Sequence, residues 1–117
     1  MASPGDRGVG LVSAEDDFGE RYTDLTPSSL DALVDYVTST GGYLVVERAD
    51  LPTGQFAQVI LEGVGNVDLW AVQVCDDPAQ PHDQLRAVVD EMAAAQRALR
   101  AWSFNESDWR SILAWER

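Results

Sequence analysis

The chain has 117 residues, enough for one domain with a modest core of its own, and 45% of them are apolar. Its 20 Asp and Glu against 8 basic residues leave a net charge of -12, a surface that repels phosphate backbones and anionic lipid and so excludes conventional nucleic-acid and membrane-surface binding. Every cation is an arginine (positions 7, 21, 48, 86, 97, 100, 110 and 117), which excludes Schiff-base chemistry, a P-loop lysine and a lysine general base.

A single cysteine, Cys75, permits neither an intramolecular disulfide framework nor a cysteine-based zinc site. The N-terminal stretch lacks an apolar core of the signal-peptide kind, and no apolar run approaches the roughly 18 residues of a membrane span. The expectation is a soluble, cytoplasmic protein.

Residues 1–25 alternate glycine with Asp and Glu without helical period and read as a flexible acidic tail, in which Val9, Leu11 and Val12 offer at most a short edge strand. A single domain is expected over 26–117. Thr26 is a good N-cap, Pro27 suits the first helical position, and Leu30, Leu33, Val34 and Val37 share one helical face. Gly41-Gly42 ends that helix.

Tyr43-Leu44-Val45-Val46-Glu47-Arg48 reads as a strand, and a turn at 49–54 follows. Two apolar and β-branched runs, 55–62 and 67–75, then flank Gly63-Val64-Gly65-Asn66, the pattern of a β-hairpin. From His82 to about Trp102, the residues Leu85, Val88, Val89, Met92, Ala95, Leu99 and Trp102 fall at helical spacing and predict one long helix. Ser103-Phe104-Asn105-Glu106 has the form of a capping box and predicts a short last helix carrying Trp109, Ile112 and Leu113. The expected fold is α+β in the order αβββαα: a three-stranded antiparallel meander packed with an N-terminal helix, a long C-terminal helix and a short last one.

Little in the sequence favours catalysis. Cys75 and His82 stand seven residues apart among Asp76, Asp77 and Asp83, but carboxylates beside a thiol raise its pKa and blunt the nucleophile. The same loop matches no metal-binding spacing. Gly63-x-Gly65 precedes a strand, so it lacks the helix N-terminus that a dinucleotide fingerprint needs. No enzyme and no cofactor are expected.

The hairpin carries the functional signal, because its strands are apolar on both faces. Phe56, Gln58 and Ile60 share one face of the first strand, and Trp70, Val72 and Val74 one face of the second. The candidate partner-binding surface is Phe56, Ile60, Trp70 and Val72, with Glu47, Glu62 and Asp68 at its rim. Net charges of -6, -5 and -1 over residues 1–40, 41–80 and 81–117 place the acidity toward the tail, first helix and sheet.

The order helix, Tyr43-Leu44-Val45-Val46, Phe56-Ala57-Gln58-Val59, Val67 to Val74, then a long helix resembles the YbjN-like and type III secretion-chaperone-like small α/β proteins of actinobacterial conflict or secretion loci. The resemblance covers roughly residues 26–102; its motifs are loose hydrophobic patterns, and the chain departs from the fuller fold at the C-terminus, where further strands would be expected. It implies a non-catalytic protein binder of the immunity or chaperone type, acting on a toxin or secreted effector with a basic surface, and often dimeric, so a homodimer is a further expectation. Two other classes stay open at this point: an acidic mimic of nucleic acid that blocks a DNA- or RNA-binding enzyme, and a small enzyme using Cys75 and His82.

Overall fold

The structure, a computed structural model, describes residues 11–51, 54–77, 79, 84–106 and 108–116. In chain order these form β1 (Val12–Asp16), β2 (Arg21–Tyr22), α1 (Pro27–Ser39), β3 (Tyr43–Arg48), β4 (Phe56–Val64), β5 (Val67–Cys75), β6 (Leu85–Val89), α2 (Met92–Phe104) and a 3₁₀ turn (Trp109–Ser111). The strands make one antiparallel sheet in the order β2-β1-β3-β4-β5-β6. The class is α+β as expected, with six strands in place of the expected three.

Register assigns every side chain to a face, since paired residues in a sheet point the same way. One set of rows runs Leu44, Val59, Val72, Ala87 and Val46, Ala57, Val74, Leu85 across β3 to β6. All of these but Leu85 are buried. Leu30, Val34 and Val37 of α1 and Ala95, Ala98, Leu99 and Trp102 of α2 complete the same core. Both helices therefore lie on one face of the sheet and touch each other. Burying each such Leu or Val contributes about 1.5–3 kcal/mol.

α1 begins as its sequence indicates. The Thr26 side chain accepts from the Ser29 N–H at 3.2 Å, and Ser29 Oγ accepts from the Thr26 N–H at 2.7 Å, a reciprocal cap. Gly41 ends it at φ 79°. Polar contacts then fix the helices to each other and to the sheet. Gln96 donates to the Asp31 carbonyl at 2.9 Å, Arg100 pairs with the Asp31 carboxylate, and the Trp70 indole N–H donates to Thr38 Oγ1 at 3.2 Å. Arg48 donates to the carbonyl of Trp102 at 2.8 Å, near the end of α2, while Asp50 holds its other nitrogens.

Three expectations are corrected. The supposed acidic tail is, from residue 11, part of the sheet: Val12, Ala14 and Leu25 are buried, and β1 pairs with β3 over its whole length. Alternation of Val12, Ala14 and Asp16 with outward Ser13 and Glu15 is the strand signal, masked by the carboxylates around it. Residues 1–10 lie outside the described residues.

The long helix over 82–102 is instead β6 followed by α2. Leu85, Val88 and Val89 fit both periods. Pairing with β5 satisfies their backbone groups, and β-branched residues suit a strand. The expected capping box at Ser103 is also overturned. Ser103 is buried inside α2, which runs on to Phe104 and ends at Asn105 in the left-handed conformation. A 3₁₀ turn follows, capped by Asp108.

Asp16 organises the β1–β2 hairpin. Its carboxylate accepts from the N–H groups of Phe18 and Glu20 at 2.9 and 3.0 Å and from the Tyr22 hydroxyl at 2.9 Å. Burial pulls the Asp16 pKa upward, but these three donors outweigh it and leave the group below its ordinary value. The bond to Asp16 pushes the Tyr22 hydroxyl up to about 12.

Leu99→Ala is expected to cost about 2–5 kcal/mol in denaturant unfolding, and Phe18→Ser, at an 85% exposed position, within about 0.5 kcal/mol. The Asp16–Tyr22 contact has a defined pH window. Its Asp16 contribution is present above the ordinary carboxylate pKa of 3.8 and is lost as pH falls through the lowered folded value. Its Tyr22 contribution is present below the ordinary value of 10.0 and is lost as pH rises toward about 12. Ultraviolet titration should show one tyrosine ionising near 12, moving toward 10.0 in Asp16→Asn.

Candidate functional site

With both helices on one side, the other face of the sheet carries three rows whose register is as well defined as that of the core. The first is Tyr43, Ile60, Ala71, Val88. The second is Glu15, Val45, Gln58, Gln73, Arg86. The third places Phe56 beside Cys75. Among the described residues, no element packs over these rows. Tyr43 and Val88 stand at the ends of the first row, 40% and 43% exposed, and Phe56, Ile60, Val45 and Leu69 are half-buried. Ala71 and Cys75, being small, sink between them and are buried. The face thus carries apolar side chains in its first and third rows on either side of a polar middle row.

Two polar pairs punctuate it. Gln58 Nε2 donates to Gln73 Oε1 directly across the β4–β5 ladder. That bond leaves Gln58 an amide oxygen as a spare acceptor and Gln73 an amide nitrogen as a spare donor. Glu62 and Arg86 form an ion pair with both carboxylate oxygens at 2.6–2.7 Å from one guanidinium nitrogen. Glu15 and Glu47 are exposed on the β1–β3 side.

Only some of the anticipated surface lies together. Phe56, Ile60, Glu47 and Glu62 belong to this outer face. Trp70 and Val72 do not: Val72 is fully buried under the helices, and Trp70 bonds to Thr38 of α1. Asp68 is exposed near the tip of the β4–β5 hairpin, opposite Gly63 and on the helix-side parity. The physical reason is parity. Val64 pairs with Val67 around the two-residue turn Gly65-Asn66, so even-numbered residues of β4 face odd-numbered ones of β5. Gly65 takes φ 62°, as a type II′ turn requires of its first position.

Grouping Phe56 and Ile60 with Trp70 and Val72 breaks this rule, whereas grouping them with Ala71, Gln73 and Cys75 obeys it. A loop of two or of four residues gives the same parity, so the signal was present in the hairpin itself. The residues missed are Tyr43, Val45, Gln73, Ala71 and Val88. Val88 was hidden by its assignment to a helix.

Both sheet edges are blunted. β2 is only two residues long. At the other edge, the Arg86 N–H and carbonyl both bond to Glu116, at 2.6 and 2.8 Å. The returning C-terminal segment is held by Trp115, whose indole donates to the Trp109 carbonyl at 3.1 Å with the rings edge to face. Arg110 stacks over Trp109 and pairs with Asp76 at 3.0 Å.

In the remaining loop, Cys75 is buried with its thiol directed to the Asp77 carbonyl at 3.7 Å, and His82 and Asp83 lie outside the described residues. No helix among the described residues is long and apolar enough to cross a membrane. Comparison of the chain with protein-family models, with curated proteins and with solved structures returns no match in any of the three.

Trp70→Ala should destabilise the fold by about 3 kcal/mol, because it opens the helix–sheet contact and strips Thr38 of its donor. Gln73→Lys on the outer face should change stability by no more than about 0.5 kcal/mol. Chemical denaturation of the two variants side by side checks the assignment of faces.

Proposed function

We propose that the chain is a non-catalytic protein-binding module of the immunity or chaperone type, which occludes a partner by covering it with the outer face of its sheet. The observation that carries this reading is the layout of the two faces. Both helices serve one side, while the other presents Phe56, Ile60, Val45, Tyr43 and Val88 in register with no element of the described chain above them. Blunted edges leave face-to-face docking as the mode of association, as opposed to strand addition.

The exposed carboxylates Glu15 and Glu47, on a chain of net charge -12, suit a partner with a basic surface, such as a toxin or secreted effector. They would speed encounter more than they deepen affinity. Five carboxylates (Asp31, Asp50, Glu62, Asp76 and Glu106) are neutralised by arginine, which weakens an alternative role as a phosphate mimic. The reading matches the type of protein that the loose resemblance to secretion chaperones implies, without requiring that kinship.

The test is affinity capture from the source cells with the wild-type chain, Ile60→Arg on the outer face and Arg97→Ala on the exposed side of α2. A basic protein captured by wild type and Arg97→Ala, lost with Ile60→Arg and released by salt, is the expected result. A captured partner that Ile60→Arg retains at full strength would contradict the assignment.

A further inference from the structure

We infer that the outer face is self-complementary, and that in the absence of another partner it binds a second copy of this chain as a weak, exchangeable homodimer. This shares with the proposed function the premise that the outer face is an interface, and it names one occupant.

Residues at the same level on neighbouring strands differ in size in a regular way. β4 presents Phe56, Gln58 and Ile60, and β5 presents Cys75, Gln73 and Ala71 directly beside them. Phe56 and Ile60 each have a small residue at their side, with the amide pair between, and Glu62 stands beside Leu69 further along. Place a two-fold axis parallel to the strands, between β4 and β5, and lay a second sheet face to face. β4 then lies over β5 of the other copy, and β3 over β6. Phe56 meets the hollow at Cys75, and Ile60 meets the hollow at Ala71.

The polar groups match under the same operation. The spare acceptor on Gln58 comes over the spare donor on Gln73 of the second copy, and the reciprocal pair forms on the other side of the axis. Tyr43 comes over Val88 of the second copy, joining the two exposed side chains at the ends of the first row. Arg86 of one copy comes over Val45 of the other, with Glu47 one row along the same strand. A two-fold across the strands would instead set Ile60 against Phe56 and each glutamine against itself.

The size of the contact limits its strength. At ordinary strand spacing and rise, β3 to β6 offer a footprint of roughly 19 by 25 Å. Two such faces bury about 1,000 Å², the lower end for a specific interface. Each copy also carries -12, so association works against charge repulsion that salt relieves. The dimer is therefore micromolar or weaker and tightens with salt. A basic partner competing for the same face would bind more weakly as salt rises.

Sedimentation velocity on the full chain, over a concentration series in low and high salt, tests this. Expected are a species of twice 12.8 kDa at high concentration, a dissociation constant falling at least about threefold from low to high salt, and monomer throughout for Ala71→Arg and for Tyr43→Asp, each with wild-type circular dichroism. Two folded variants at separate points keep the test valid if one fails to fold. For orientation, Tyr43→Cys and Val88→Cys are each made in a Cys75→Ser background. A short bismaleimide should link the mixture of the two and neither alone.

A wild-type chain monomeric at all concentrations in high salt, or self-linking as strong as cross-linking, would overturn the inference. Capture of a basic partner lost with Ile60→Arg would still stand in that case, so the two readings fail separately. Conversely, a salt-strengthened dimer together with partner capture indifferent to Ile60→Arg would sink the proposed function and leave the dimer.

Discussion

The two-residue turn at Gly65-Asn66 sets the parity of the two longest strands, and the division of the molecule into a covered and an uncovered face follows from it. Once Val64 pairs with Val67, Val59 must sit beside Val72 and Ile60 beside Ala71. A slip of one residue would carry Trp70 and Val72 into water and bring Gln73 under the helices. Such a slip would expose the core residues that α1 and α2 now cover and leave the Gln73 amide without water. The register is thus held by the turn at one end and by the helix pair along its length.

The helices are in turn committed to that side by polar contacts. Trp70 reaches Thr38, Gln96 reaches the Asp31 carbonyl, and Arg48 secures the end of α2 through Trp102. With both helices so engaged, the described residues place one layer on a six-stranded sheet that could carry two. An apolar face without a second layer is an asymmetry that a monomer gains nothing from. It is the physical basis for reading the outer face as an interface, and the pairing of large with small residues on β4 and β5 gives that interface a shape.

Much of the architecture was legible in the residues. Thr26, Pro27 and Gly41 mark the ends of α1 through chemistry that is local, so tertiary context had no occasion to override it. β4 and β5 were likewise clear, because two β-branched runs about a Gly-Asn turn admit few alternatives. β6 was not, since Leu85, Val88 and Val89 satisfy a helical period as well as a strand, and only the vacant edge of β5 decides between them. β1 was obscured by the acids within and after it; the role of Asp16, satisfying three donors inside a hairpin, is a tertiary fact that composition reads as solvation. On the outer face, apolarity and charge group Phe56, Ile60, Glu47 and Glu62 as the register does, while Trp70 and Val72, equally apolar, fall by parity on the helix side. The remaining members, Tyr43, Val45, Ala71, Gln73 and Val88, become visible only when the register of four strands is known together.

The central claim is that one apolar face of the sheet is open in the isolated chain and closes on association. Paramagnetic relaxation of methyl groups by a soluble gadolinium chelate tests it most directly. In dilute solution at low salt, the methyls of Val45, Ile60 and Val88 should be strongly relaxed while those of Leu44, Val59 and Val72 are spared. Raising concentration and salt should then protect the first set and leave the second unchanged. Outer-face methyls spared even in the dilute chain would show that the chain covers this face itself, and the account would be wrong.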